Sequence, residues 1–114
     1  MKLIGSKTEK ELREQLIKSH YSLFNDKSKL GLLNALKDFI DIKSAYIIDW
    51  IPEQGEDIYT ILINTDIIVI VELDRLNLHL EPVLNTISIN EFKKGLSKIH
   101  QIKLAVAIDL AMNN

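Results

Sequence analysis

Apolar residues recur along this chain with two different periods, and the change of period divides it into parts. From Thr8 onward, Leu12, Leu16, Ile17 and Leu23 fall at helical spacing. Two overlapping signatures, Ser6 to Glu9 and Thr8 to Glu11, each place a side-chain acceptor at the start of the run with a glutamate three residues later. The spacing predicts a helix over about 8–23. Asn25-Asp26 ends it, Ser28 offers the next cap, and Leu30, Leu33, Leu36 and Ile40 again recur at three or four residues despite Gly31. The two helices are expected to form a hairpin.

The period then shortens to two. Ser44 to Ile51, Asp57 to Asn64 and Asp66 to Asp74 are rich in Ile, Val, Tyr and Thr, and the turn-forming runs PEQGE and Asn-Thr-Asp separate them. Three antiparallel strands joined by short turns follow from this pattern. A fourth is expected near Leu78 to Ile87, at an edge or interrupted, because Pro82 cannot donate to a ladder. Ser88-Ile-Asn-Glu91 is another capping signature. Phe92, Leu96 and Ile99, then Leu104 to Met112, predict a long or once-broken C-terminal helix. Its second half is apolar on nearly all sides, which implies coverage by both the sheet and the hairpin or else by a second subunit, a central helix being the simpler expectation.

The expected architecture is α+β: an N-terminal helical hairpin, a three- to four-stranded antiparallel β-meander and a long C-terminal helix packed on the sheet. At 114 residues the chain suits a single domain over 1–114. Composition narrows the chemistry. The hydrophobic share of 46% with 26% charged residues is that of an ordered globular chain, and the absence of cysteine excludes disulfides, thiolate metal sites and cysteine nucleophiles. The start MKLIGSKTEKEL lacks the continuous apolar core of a secretory signal, and LAVAIDLAM at 104–112 is too short for a membrane span. A cytoplasmic protein without membrane attachment is expected.

Net charge is only −2, yet its distribution is uneven. Residues 44–90 carry eight acidic side chains against one basic, Arg75, a net of −7, while the segments before and after are +3 and +2. Such a segment repels nucleic acid and raises the encounter rate with a basic surface. Direct nucleic-acid binding is not expected.

The stretch DWIPEQGEDIY, Asp49 to Tyr59, concentrates the candidate chemistry: four carboxylates and the only Trp. Simple alternation places Tyr46, Ile48 and Trp50 on one face of the first strand and Ala45, Ile47, Asp49 and Ile51 on the other. Asp49 on that apolar face would be an acid or base if buried, with Glu72 as its partner, although such residues are more often hydrated at a sheet margin. Glu53, Glu56 and Asp57 lack the repeated spacing of a calcium loop. Glu72-Leu73-Asp74 lacks the lysine that a PD-(D/E)xK nuclease requires. His20, His79 and His100 are too far apart for metal spacing, and no phosphate-binding glycine motif is present. No metal, cofactor or enzymatic activity is expected. Trp50, beside Ile51-Pro52, is read first as core, with an interface anchor as the rival.

With YIIDWIPEQGEDIYTILIN and the closing KIHQIKLAVAIDLA, the chain resembles the small cytoplasmic immunity proteins encoded beside bacterial toxins of contact-dependent growth inhibition and related polymorphic systems. The resemblance lies in size, lack of cysteine, Lys/Ile/Asn-rich composition and an acidic face. It implies a non-catalytic protein that binds the C-terminal domain of a toxin, often a basic nuclease, and it carries over no functional residue. From charge and aromatic content, the partner-binding residues expected are Trp50, Glu53, Glu56 and Asp57, joined by Asp66, Glu72 and Asp74. The rival expectation is a structural or regulatory homodimer that pairs through the apolar C-terminal helix.

Overall fold

A computed structural model of the chain describes residues 3–77 and 79–113. Helix α1 (Lys7–Asn25) begins where the local chemistry predicts: Ser6 Oγ accepts from the Glu9 amide while the Glu9 carboxylate accepts from the Ser6 amide, a complete capping box. Thr8 lies inside the helix, so the second signature is not used as a cap. Leu12, Leu16 and Leu23 are buried, whereas Ile17, expected with them, is half exposed. Asp26, rather than Ser28, makes the next cap. Its carboxylate accepts from the amide and hydroxyl of Ser28, starting a short 3-10 turn (Lys27–Lys29) that leads into α2 (Leu30–Phe39).

Four antiparallel strands follow as one meander in the order β1 (Ala45–Glu53), β2 (Glu56–Ile63), β3 (Ile67–Asp74) and β4 (Val83–Ser88). The fourth strand is thus present at an edge and begins just after Pro82. The predicted start at Leu78 lies outside the described residues. Gln54-Gly55 turns β1 into β2 with Gly55 at φ 84°. The β2–β3 turn is fixed by Asn64 at φ 57°, a left-handed geometry that asparagine tolerates better than most side chains. Asn64 Oδ1 accepts from the Lys43 and Ser44 amides and its Nδ2 donates to the Asp41 carbonyl, tying the turn to the entry of β1.

The C-terminal helical region is broken once. A single turn, α3 (Ile89–Phe92), is capped by Ser88. Gly95 at φ 76° reverses the chain, and Ser97 caps α4 (Lys98–Met112).

The sheet separates two apolar clusters. On one face, Tyr46, Ile48, Leu62 and Ile68 pack with Leu16 of α1 and with Leu104, Val106, Ala107 and Ala111 of α4. On the other, Ala45, Ile61, Ile63, Val69 and Val71 pack with Leu23 of α1 and with Leu32, Leu33 and Leu36 of α2. Helix α1 contributes to both because it runs beside β1 at the sheet edge, and an Arg13–Asp109 ion pair of 2.8 Å joins it to α4. The fold is α+β as expected, but α4 is not central. It packs on the sheet and α1 with Ile99 and Met112 left exposed, while α2 lies across the sheet from it. None of the helices described is long and apolar enough to cross a membrane.

Candidate interaction surface

Burial falls off along the strands. Ala45, Tyr46 and Ile48 of β1 are buried, and exposure begins at Trp50 and continues to Glu53. In β2 the buried residues are confined to Ile61–Ile63. The helices therefore cover one half of the sheet, and the half around the β1–β2 hairpin projects beyond them. The expected partner-binding residues mostly lie in this uncovered half.

Their distribution over its faces differs from the expectation, because β1 carries a bulge. Ile47 pairs with Ile61 and Asp49 with Thr60, so Ile48 is the extra residue and the alternation shifts after it. Asp49 shares the α4 face with Ile48, and Trp50 shares the α2 face with its partner Tyr59, the reverse of the simple alternation. Trp50 is also not core: it is 53% exposed. Its ring stacks on Tyr59 with centroids 6.2 Å apart and planes 12° apart, and its indole N–H donates to Asp57 Oδ1 at 3.0 Å. Arg75, the lone base of the acidic segment, donates from Nη1 to the same oxygen at 2.9 Å and from Nη2 to the Glu53 carbonyl. Its amide donates to the Gly55 carbonyl, so Arg75 fastens the hairpin corner through side chain and backbone together. Burial and the Asp57 charge push the Tyr59 phenol up, with Arg75 partly opposing them.

The other carboxylates lie on the opposite face. Glu53 pairs with Glu56 and Glu56 with Asp74, so β1, β2 and β3 set three acidic residues in one cross-strand row. The next row holds Ile51, Ile58, Glu72 and Val83. Asp74 turns part of its charge to local use, Oδ1 accepting from the Leu76 and Asn77 amides. Of the seven residues expected to act together, Glu53, Glu56, Glu72 and Asp74 thus share the α4 face and Trp50 and Asp57 share the α2 face. Asp66 stands apart in the β2–β3 turn, the length of a strand away, roughly 25 Å.

Asp49 and Glu72 do not form the pair an acid–base mechanism would need. They sit on strands two spacings apart, roughly 10 Å. Asp49 lines a groove with Thr60, Leu96, Ser97 and His100, and Glu72 does not reach it. Asp49 Oδ1 accepts the Trp50 amide, and the Ser97 hydroxyl is 2.8 Å from His100 Nδ1 while capping α4. Opposite Asp49, burial pulls the Lys103 ammonium below the ordinary lysine range, and the Asp49 charge works against that shift. Among the described residues no three His, Asp or Glu side chains gather as a metal-binding set. A groove of about 490 Å³ lies beside α4, lined by Leu3, Ile89, Ala105, Ile108 and Met112 among others.

Two residues of the corner were not anticipated, Tyr59 and Arg75. Tyr59 was legible in principle: counting back from a two-residue turn at Gln54-Gly55 sets Trp50 against Tyr59. Arg75 was conspicuous as the one base among eight acids, but its contact with Asp57 spans 18 residues and has no sequence signature. Among known proteins, no family model matches the chain, and no curated protein or solved structure is found similar to it.

Proposed function

We propose that the protein is a non-catalytic binding protein that neutralises a basic toxin domain, in the manner of the immunity proteins it resembles. The observation that carries this reading is the row Glu53–Glu56–Asp74. Like charges set directly across strands cost stability in the free protein, and a basic partner relieves that cost on binding. On the far side of the same corner, Trp50 is exposed and already fixed by Tyr59 and Asp57, so it loses little freedom in becoming an anchor. Carboxylates speed and orient the encounter, and aromatic contact supplies more of the lasting affinity.

The test is co-expression with the C-terminal domain of a secreted effector encoded next to this gene. Cells that die when that domain is produced alone are expected to grow when this chain is produced with it. Replacing Glu53, Glu56 and Asp57 together by lysine is expected to weaken protection and slow association of the purified pair. Death regardless of this chain would overturn the reading.

A further inference from the structure

The meander has two edges, and they are treated in opposite ways. Along β1, every outward N–H beyond Ala45 is taken or absent. Ile47 N–H donates to Ser19 Oγ at 3.1 Å, and His20 Nδ1 lies 2.9 Å from the Ala45 carbonyl, both from α1. Past the bulge, the outward Trp50 N–H is taken by the Asp49 carboxylate at 3.0 Å, and Pro52 has no N–H to offer. Helix cover, a bulge, an edge carboxylate and a proline are the devices by which sheets refuse an added strand.

The outward groups of β4 follow by alternation. Ala45 and Ile47 turn away from the sheet, so Tyr46 bonds inward to Leu62. Ile61 and Ile63 then bond to β3, and Ile68 and Ile70 to β4, which leaves Leu84, Thr86 and Ser88 facing outward. Among the described residues no side chain or loop hydrogen-bonds to the backbone of Leu84 or Thr86. The strand reads Val-Leu-Asn-Thr-Ile-Ser, with no charge and no proline, and it pairs with β3 in unbroken register. Leu76, Leu80 and Val83 are exposed at its entry, at 85%, 55% and 51%.

We infer that the outer edge of β4 accepts an extended segment of a basic partner protein as a fifth strand, an inference that rests on the binding role proposed above and gives it a docking mode. Charge decides the occupant. Glu81 precedes the edge and Glu72 pairs with Val83 on the α4 face, so lysine or arginine on the part of the incoming strand beside the start of β4 meets carboxylates, whereas Glu91 beyond its end is already paired with Lys94 at 3.4 Å. A second copy fits worse. The β4 of another molecule is the same uncharged Val-Leu-Asn-Thr-Ile-Ser strand and carries no cation to set beside Glu72.

The test uses the full chain and a blocked peptide of alternating valine and lysine, followed by backbone-amide NMR. Saturable shifts are expected at Leu84, Thr86 and Ser88, with slowed amide exchange at Leu84 and Thr86, and none with a valine–glutamate peptide. Thr86→Pro removes one outward N–H without touching the β3 ladder and is expected to weaken the peptide at least about tenfold. Thr86→Lys, a gentler edge charge, is expected to do the same with thermal stability retained. Shifts confined to Trp50–Asp57, equal response to the glutamate peptide, or indifference to both Thr86 variants would overturn the site. Amides of Leu84 and Thr86 protected without peptide and released on dilution would assign the edge to a second copy instead. The two readings fail separately. Protection from the toxin domain that survives Thr86→Pro but not the hairpin reversal discards the strand site alone, whereas peptide binding without any protection discards the immunity role alone.

Discussion

Glu9 is a carboxylate folded back onto the chain before its own helix. It is 6% exposed and accepts from the amides of Ile4, Gly5 and Ser6 and from the Ser6 hydroxyl. These bonds, the Ser6 amide first, hold its carboxyl below the ordinary glutamate range, with burial pulling the other way. A carboxyl whose folded pKa is depressed stabilises the fold above its unfolded pKa, and the contribution disappears as pH falls through the folded value. Glu9→Gln is therefore expected to lower stability at neutral pH. It should also flatten the acid limb of a urea-midpoint-versus-pH profile, the gap between the two profiles closing on acidification. A gap that stays constant with pH would show that the charge does not matter there. The Ser6–Glu9 box was legible in sequence because donor and acceptor are three residues apart. The added bonds from Ile4 and Gly5 were not, since they depend on the path the chain takes before the helix.

Elements follow from the sequence where one periodicity governs them and depart from it where that periodicity is interrupted. The helices, the meander and its edge strand follow from spacing and turn residues alone. The β1 bulge does not, and one extra residue at Ile48 moved Trp50 to the other face and out of the core. No local residue type marks that bulge; it is set by Ile48 filling the α4 cluster while Trp50 stacks across the hairpin on Tyr59. The break between α3 and α4 was legible, because Gly95 and Ser97 carry a stop and a start signal. Gly95 sits at φ 76° with open space where a Cβ would be, so Gly95→Ala meets no clash and its cost is conformational. A loss of about 1–2 kcal/mol is expected from urea unfolding, with Gly95→Asn recovering part of it. A neutral alanine would mean that the break does not need the left-handed turn.

At the scale of the whole molecule, the sheet joins two cores while its uncovered half gathers charge. Tertiary pairing decided which acids act together, and sequence position did not: Asp66 and Asp57 counted equally in the net of −7, yet one is at the far end of the strands and the other is held by Arg75. What remains concentrated is the row Glu53–Glu56–Asp74, and Glu56 is its middle. Glu56→Lys puts a cation between two carboxylates, and relief of the like-charge pairs is expected to stabilise the free protein by roughly 0.2–1 kcal/mol. The same change weakens the field that draws in a basic partner, so association is expected to slow most at low salt, where the Debye length exceeds about 10 Å. Stability and association then move in opposite directions from a single substitution. Urea midpoints of the free protein together with association rates across a salt series check both limbs. A variant that is both less stable and equally fast would mean that the row is packed for structure and not held for a partner.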